Sequence, residues 1–227
     1  MDIPYRPFPL YISTHKPHFV LKGRFPVHEA ASKIIDLYER HAQTWDRIRS
    51  RLGTEHSWLE RFRRVMPDVD GQVLDLGCGC AEPMASYLID AGHAVCGIDS
   101  SESMIEFCQQ RFPGQDWRVA DMRRMDLGQR YAGILAWDSF FHLTPEDQRR
   151  MFSIFQAHAQ PGAALMFTSG TAHGIALGTF EGETLYHASL DHGEYVDLLN
   201  RHGFRVVEQL TEDPLCGGHT VWLAVFE

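Results

Sequence analysis

The chain has few of the features that mark membrane, secreted or metal-binding proteins. No apolar run approaches the roughly 20 residues that cross a bilayer, and the first residues lack the basic and apolar regions of a signal peptide. The five cysteines include no C-x-x-C pair, which argues against a zinc ribbon and against a disulfide framework. We therefore expect a reduced, cytoplasmic protein with no membrane partner and no bound metal.

Positive charge is also in the minority. The 21 Lys and Arg residues face 30 Asp and Glu residues, so the formal net charge is −9. Nucleic-acid-binding surfaces usually concentrate positive charge, and this balance therefore disfavours a nucleic-acid partner. One group of arginines is interleaved with acids, which is typical of a solvated helix face: Arg47, Arg49, Arg51, Arg61, Arg63 and Arg64.

The length and composition favour one domain with an appendage. With 227 residues, of which 44% are hydrophobic, the chain can bury one sizeable core. Residues 1–31 differ from the rest, because they hold five of the 11 prolines among several aromatic residues. We interpret this segment as an arm that docks either on the domain over 32–227 or on a second subunit, as in a homodimer.

Hydrophobic periodicity predicts an α/β domain. Helical spacing over 32–66 predicts two helices, which we call the lid helices, and strands then alternate with helices over a core at 72–169. The predicted strands are 72–77, 93–98, 116–121, 132–138 and 163–169, and the predicted helices between them are 83–91, 102–111 and 145–159.

The end of the chain breaks this alternation. A glycine-rich stretch at 170–190 reads as a loop, and the segment 191–227 reads as a helix followed by two strands, 204–210 and 219–226. Strands joined by so short a turn are antiparallel. The sequence thus predicts a Rossmann-like sheet of seven mostly parallel strands, finished by an antiparallel strand and covered by helices on both faces.

The most informative motif follows the first strand of this core. An apolar run ends in the turn Gly77-Cys78-Gly79, and the next strand ends in Asp99, 22 positions after Gly77. Glycines permit a tight turn and bring main-chain N–H groups close to a ligand. A carboxylate at this spacing typically binds a ribose hydroxyl, so the pair predicts an adenosine-type cofactor.

Further motifs complete a resemblance to a known family. They are Gly97-Ile98-Asp99-Ser100-Ser101 followed by Met104, Val119-Ala120-Asp121-Met122, Ala136-Trp137-Asp138-Ser139-Phe140-Phe141-His142-Leu143, and Gln160-Pro161-Gly162-Ala163. Together with the terminal hairpin, they make the chain from about Tyr38 onward resemble the class I S-adenosylmethionine-dependent methyltransferases. The chain departs from many members at Ala81, where they carry a third glycine.

The resemblance implies S-adenosylmethionine as the cofactor, S-adenosylhomocysteine as its product, and a set of cofactor-binding residues. Asp75 would lie near the methionine amino group, Asp99 would bind the ribose hydroxyls, and Asp121 with the Met122 N–H would bind the adenine. Met104 would pack on the adenine face. The remaining members of the implied set are Tyr38 and Trp45 on the first lid helix, Gly77, Cys78 and Gly79 in the turn, Ser100 and Trp137.

Methyl transfer by this family is expected to need positioning, exclusion of water and, for a protonated acceptor atom, a base. The candidates for a base or a substrate contact are His142, His187 and His219, because histidine titrates near neutral pH. The motif after the fourth strand lacks the Asn/Asp-Pro-Pro-Tyr pattern of enzymes that methylate nucleic-acid bases. We therefore expect transfer to an oxygen or nitrogen atom of a small molecule, with a pocket that could draw on Phe140, Phe141, Phe180, Tyr186 and Tyr195.

Two other functions remain open from the sequence. A nicotinamide-dependent oxidoreductase would also use a glycine turn and a ribose-binding acid, although the third glycine of G-x-G-x-x-G is missing here. A non-catalytic nucleotide-binding protein could keep the same site. Each residue in the implied set also has a purely structural alternative, as a turn cap or as part of the core.

Overall fold

The computed structural model describes residues 27–49, 53–67 and 71–227. The predicted arm therefore lies mainly outside the described residues, and so does the homodimer contact assigned to it. Its last residues, from 27 onward, form most of helix α1 (Val27–Ser32). The two predicted lid helices are α2 (Ile34–Arg49) and α3 (His56–Val65).

The central sheet has the predicted architecture. The strands of the chain are β1 (Val73–Leu76), β2 (Val95–Asp99), β3 (Asp116–Val119), β4 (Tyr131–Ala136), β5 (Ala159–Ser169), β6 (Gly174–Phe180), β7 (Glu183–Ser189), β8 (Phe204–Asp213) and β9 (His219–Phe226). Seven of them form one sheet in the order β3-β2-β1-β4-β5-β9-β8. The first five run parallel, whereas β9 is antiparallel to both β5 and β8, which confirms the predicted mostly parallel sheet.

Helices cover both faces of this sheet, as predicted. The remaining helices are α4 (Met84–Asp90), α5 (Glu102–Arg111), α6 (Pro145–His158) and α7 (His192–Arg201). Successive residues of a strand point to opposite faces. Leu74 and Leu76 accordingly pack with residues of α6 and α7, whereas Val73 packs with residues of α3, α4 and α5.

The segment at 170–190 is not the predicted loop. It forms an antiparallel hairpin of β6 and β7 that stands apart from the central sheet, with Gly174 paired to Ser189 and Phe180 to Glu183. Residues of β7 pack against α1 and α2, where Tyr186 and Ala188 form a small cluster with Ile34. The hairpin therefore forms a cover beside the lid helices.

Several expected site residues lie just beyond the strands. The strand β3 ends at Val119 and β4 at Ala136, two residues earlier than predicted in each case, so that Asp121, Trp137 and Asp138 belong to the following turns. These turns share the carboxyl edge of the parallel strands, which is the edge where ligands bind in such sheets. In the part of the chain that the structure describes, no helix is both long and apolar enough to cross a membrane.

Candidate functional site

The glycine turn after β1 is closed on two sides. Gly77 and Gly79 have φ values of +71° and +54°, a region that side chains disfavour. A Cβ atom on Gly77 would lie 2.3 Å from the Cβ of Ser139, and one on Gly79 would lie 3.2 Å from Nε1 of Trp45. The turn thus passes beneath the residues that follow β4 and beneath α2, at a distance that only glycine allows.

Ala81 occupies the position of the third glycine. It is buried and has a φ of +68°, so the chain accepts a left-handed alanine there. Such a conformation costs an ordinary residue roughly 1–2 kcal/mol. The methyl group fits inside the core cluster beside α4, which explains how the motif can do without the glycine.

Cys78 is turned into the protein. Its N–H group donates to the carbonyl of Ile98 at 3.1 Å, and its carbonyl accepts from the N–H of Ala81 at 3.0 Å. Burial raises the pKa of its thiol well above the ordinary value. Cys78 therefore shapes the turn through its backbone and offers a ligand no free donor of its own.

Asp99 links the turn to the end of β2. One carboxylate oxygen accepts from the N–H of Gly79 at 3.0 Å and the other accepts from the N–H of Ser101 at 2.9 Å. A carboxylate has about four acceptor sites, so these two bonds leave capacity for ribose hydroxyls. Burial raises the pKa of Asp99, while the backbone N–H groups oppose that rise.

Asp75 is a buried carboxyl group with a free oxygen. It is 2% exposed, and its Oδ2 accepts no hydrogen bond from the described residues. Burial and the charge of Asp99 raise the pKa of Asp75 to about 7. An unpaired buried acceptor beside a glycine turn fits a ligand that brings an amino group, as the resemblance implies for this residue.

Asp121 has a partner that the sequence interpretation did not include. Its carboxylate accepts from the N–H of Arg123 at 3.0 Å and from the guanidinium of the same residue at 2.6–3.0 Å. Although burial opposes it, these bonds lower the pKa of Asp121. Met122 reaches back across the edge, since its Cε would lie 3.2 Å from a Cβ on Gly77.

The helix α2 lies over the turn, with Tyr38 and Trp45 facing the site. Their ring centroids are 5.2 Å apart and the rings meet edge to face. Glu39 ties this helix to the start of α5, because its carboxylate accepts from the hydroxyls of Ser101 and Ser103 at 2.5 and 2.6 Å. Met104 is buried beneath the helix in a cluster with Ala42 and Cys80.

Two other predicted residues mainly connect strands and turns. Ser100 donates its hydroxyl to the carbonyl of Ala120 at 3.3 Å, which joins the ends of β2 and β3. Trp137 is 4% exposed and its ring lies 5.3 Å from that of His219. The Nε1 group of Trp137 is buried and donates no hydrogen bond to the described residues.

The hairpin adds an aromatic wall to this region. Phe180 stacks on Tyr38 at a centroid distance of 5.8 Å and meets Trp45 edge to face at 5.9 Å. Glu183, next to the hairpin turn, accepts from Arg40 at 2.5 Å and lies 2.7 Å from Nε2 of His41, both on α2. The hairpin and the lid helix therefore form one cover over the carboxyl edge.

The five aromatic residues expected in a pocket separate into two groups. Phe141 and Phe180 lie among the rings at the carboxyl edge. Phe140 and Tyr195 are instead buried in the core beside α6, and Tyr186, on β7 of the hairpin, is 1% exposed in a cluster with Ile34. These three residues therefore belong to the core and not to the rings at the carboxyl edge.

Both ring nitrogens of His142 make hydrogen bonds. Its Nδ1 lies 2.8 Å from the carbonyl of Tyr186, which can only accept, so this nitrogen carries the hydrogen. Its Nε2 then accepts from the hydroxyl of Tyr38 at 3.0 Å. Burial and the neighbouring His187 lower the pKa of His142 to about 3, and the ring is neutral near pH 7.

His187 stands next to it on β7. The two imidazole centroids are 4.9 Å apart, and Phe141 lies 5.1 Å from His187 on the same side. Burial lowers the pKa of His187 to about 4. Its ring hydrogen-bonds to the backbone of Leu185 and to no other side chain of the described residues, so the neutral imidazole keeps one lone pair.

His219 has the opposite charge state. Its Nδ1 donates to the carbonyl of Cys216 at 2.6 Å and its Nε2 donates to Oδ1 of Asp138 at 2.9 Å. Burial would lower the pKa of His219, but the charge and hydrogen bond of Asp138 raise it to about 11. His219 is thus an imidazolium near pH 7, with both ring nitrogens donating and no lone pair for a base.

Arg49 belongs to the same charged group. Its guanidinium lies 2.7 Å from Glu55 and 3.5 Å from Oδ2 of Asp138, and its side chain is 15% exposed. The interpretation of Arg49 as part of a solvated face is therefore wrong. Arg49 and Asp138 are 89 positions apart, and no sequence pattern relates them. Among the described residues, His, Cys, Asp and Glu form no group of three that could hold a metal ion.

The chain is similar to known methyltransferases in sequence. Residues 73–162 match the family model described as a methyltransferase domain. The chain is 22% identical over 183 residues to an uncharacterized methyltransferase of Oceanobacillus iheyensis, covering 78% of this chain and 79% of that protein. It is 25% identical over 182 residues to an O-methyltransferase of Pyrenophora dematioidea, covering 73% and 67%.

A solved structure has the same fold. The 1,6-didemethyltoxoflavin-N1-methyltransferase of Burkholderia thailandensis, crystallised with 1,6-didemethyltoxoflavin and S-adenosylhomocysteine, superposes with a TM-score of 0.69. The identity is 16%, and the match covers 90% of this chain and 92% of that one.

Proposed function

We propose that this chain is a class I S-adenosylmethionine-dependent methyltransferase and that its acceptor is a small aromatic molecule methylated on oxygen or nitrogen. The observation that carries this proposal is the group of rings at the carboxyl edge. Five rings lie beside the turn after β4, and neighbouring centroids are 4.9–5.8 Å apart; the rings are those of Tyr38, Phe180, His142, His187 and Phe141. Flat aromatic walls favour a flat aromatic ligand.

The residues of the glycine turn fit the cofactor. Gly77 and Gly79 hold left-handed backbone in the turn and carry no side chains of their own, which suits the close approach of a ligand to main-chain groups. Asp75 has an unpaired buried oxygen for an amino group, and Asp99 has acceptor capacity for hydroxyls. When bound, S-adenosylmethionine supplies a methyl group on a positively charged sulfur, which is an activated leaving group.

The protein then has to orient the acceptor and remove its proton. The acceptor lone pair would take the methyl group that S-adenosylmethionine supplies, and S-adenosylhomocysteine would leave with the electron pair of the carbon–sulfur bond. If the acceptor atom carries a hydrogen, that proton must leave. His187 is the histidine suited to take it, since His142 already binds Tyr38 through its lone pair and His219 is already protonated.

Lid closure would exclude water from this step. The helix α2 and the hairpin are joined through Glu183, so they can shield the ring cluster as one unit. Exclusion of water strengthens the electrostatic interactions that hold the acceptor. Tyr38 belongs to this cover, since its hydroxyl donates to Nε2 of His142 and its ring stacks on Phe180.

Thermal denaturation with three ligands tests the cofactor assignment. S-adenosylmethionine and S-adenosylhomocysteine should each raise the melting temperature, and NAD should not. A rise with NAD alone would contradict the proposal. Transfer of a labelled methyl group to a panel of phenols, anilines and aromatic nitrogen heterocycles, together with aliphatic alcohols and amines, then tests the acceptor class. Labelling confined to non-aromatic acceptors would refute the aromatic assignment.

A further inference from the structure

Asp138 combines two unfavourable features at one position. It directly follows Trp137 at the carboxyl end of β4, and its φ of +50° lies in the left-handed region. Its N–H group donates to the hydroxyl of Thr168 at 2.9 Å, which holds the backbone in this conformation. Its side chain is 7% exposed, although it carries a charge. Strained or buried polar residues of this kind cluster at functional sites.

The two carboxylate oxygens of Asp138 have different surroundings. Oδ1 accepts the hydrogen bond from His219. Oδ2 is buried and accepts no hydrogen bond from the described residues, although the guanidinium of Arg49 stands 3.5 Å away. A buried acceptor without a donor is costly, so such an atom calls for an explanation.

Charge balance shows what kind of partner Oδ2 requires. Arg49 and His219 are cations, and Asp138 and Glu55 are the anions paired with them. The four charges cancel, so an additional cation would meet two others already in place. The group is balanced in charge and lacks only a hydrogen-bond donor. A neutral O–H or N–H group would complete it.

The position of Asp138 brings it to the ring cluster. Asp138 belongs to the turn after β4 that also carries Phe141 and His142, and the ring of Trp137 lies 5.3 Å from that of His219 at the same edge. The unpaired oxygen therefore belongs to the region where the aromatic acceptor would bind.

We propose that Oδ2 of Asp138 accepts a hydrogen bond from a neutral O–H or N–H group of the acceptor, and that this bond selects the substrate. The inference rests on the proposed function and narrows the substrate class to aromatic molecules that carry such a donor. Asp138 is a binding and orienting residue here. It does not take the proton, because His219 and Arg49 keep it ionised.

Matched fragments provide the test. Dissociation constants are measured by ligand-observed NMR, in the presence of saturating S-adenosylhomocysteine, for 2-naphthol and 2-methoxynaphthalene, indole and 1-methylindole, and 2-quinolone and 1-methyl-2-quinolone. In the wild type, at least one donor member should bind about tenfold more tightly than its methylated partner, as expected for a hydrogen bond to a charged group.

The variant Asp138→Asn should reduce that ratio to a few-fold or less. Asparagine adopts left-handed backbone as readily as aspartate and has the same shape, so the change removes the charge and turns one of the two acceptor oxygens into an NH2 donor. Asp90→Asn, at an exposed position on α4, is the matched control and should keep the wild-type ratio. An unchanged ratio in Asp138→Asn overturns the proposal.

The wild-type measurement stands by itself if Asp138→Asn does not fold. Equal binding of both members of every pair, or no binding of any donor fragment, overturns the role of Asp138. Calorimetry with S-adenosylhomocysteine tests the proposed function separately from the role of Asp138. Failure of the wild type to bind that ligand would refute the proposed function, whereas cofactor binding without donor preference refutes only this inference.

Discussion

Oδ1 of Asp138 accepts a hydrogen bond from Nε2 of His219 at 2.9 Å, across 81 positions of sequence. The contact depends on the direction of β9. Because β9 runs antiparallel to β5, its first residue lies at the same edge as the carboxyl ends of the parallel strands. The antiparallel finish of the sheet thus delivers a cation to the turn after β4.

This ion pair should make stability depend on pH. The pKa of His219 rises from 6.5 to about 11 on folding, so its contribution is complete below pH 6.5 and is lost as the pH rises toward 11. Although burial opposes it, His219 and Arg49 lower the pKa of Asp138 from 3.8 to about 2, so the contribution is also lost below pH 3.8. The window of full effect is pH 3.8–6.5.

His219→Gln should therefore cost about 3 kcal/mol of the free energy of unfolding near pH 6, as expected for a broken buried pair. The difference from the wild type should shrink between pH 7 and pH 10. Urea denaturation at several pH values measures both quantities. A difference that stays constant over this range would contradict the assignment of His219 as an imidazolium.

His142 should lower the stability of the folded protein at acid pH, whereas the contribution of His219 is lost at alkaline pH. Burial lowers the pKa of His142 from 6.5 to about 3, so below pH 6.5 the unfolded chain takes up a proton that the folded chain refuses. Stability then falls by about 1.4 kcal/mol for each pH unit between 6 and 4. His142→Gln, which can still bond to Tyr38 and to the carbonyl of Tyr186, should lose this part of the acid sensitivity. Parallel acid-unfolding curves for both proteins would show that His142 is protonated in the folded state.

Gly77 should tolerate no side chain. Both Gly77 and Gly92 have positive φ values, but a Cβ would meet Ser139 at 2.3 Å in the first case and nothing within 4 Å in the second. Gly92→Ala should therefore cost only the backbone strain of about 1–2 kcal/mol. Gly77→Ala should cost at least about 2 kcal/mol more and abolish S-adenosylhomocysteine binding. Equal costs for the two variants, measured by urea denaturation, would mean that the turn can move away from Ser139.

Asp99→Ala should weaken S-adenosylhomocysteine binding by roughly 1–3 kcal/mol, because charge-assisted hydrogen bonds are lost. It also removes the acceptor of the Gly79 and Ser101 N–H groups, so the turn loses support as well as a ligand contact. Calorimetry measures the affinity, and Asp90→Ala at an exposed carboxylate serves as the control. An affinity equal to the wild type would exclude Asp99 from the site.

The fold could be predicted largely because its signals are local. The alternation of apolar runs and amphipathic helices, the glycine turn and the short link before β9 each depend on a few neighbouring residues. The hairpin at 174–189 was predicted as a loop because its local signal is weak. Its strand β6 contains Gly174 and Gly178, and glycine is unfavourable inside a strand, although Ile175, Leu177 and Phe180 fit one.

The sequence by itself determined the order of strands and helices along the chain. It also determined the glycine turn with Asp99 at the end of the next strand, and hence an adenosine-type cofactor. Only the tertiary structure decided the roles of the histidines. The same residue type is neutral at His142, neutral with a free lone pair at His187, and cationic at His219. The charge of a buried side chain depends on partners brought close by folding, here Tyr38, Arg49 and Asp138, and chain periodicity carries no record of those partners.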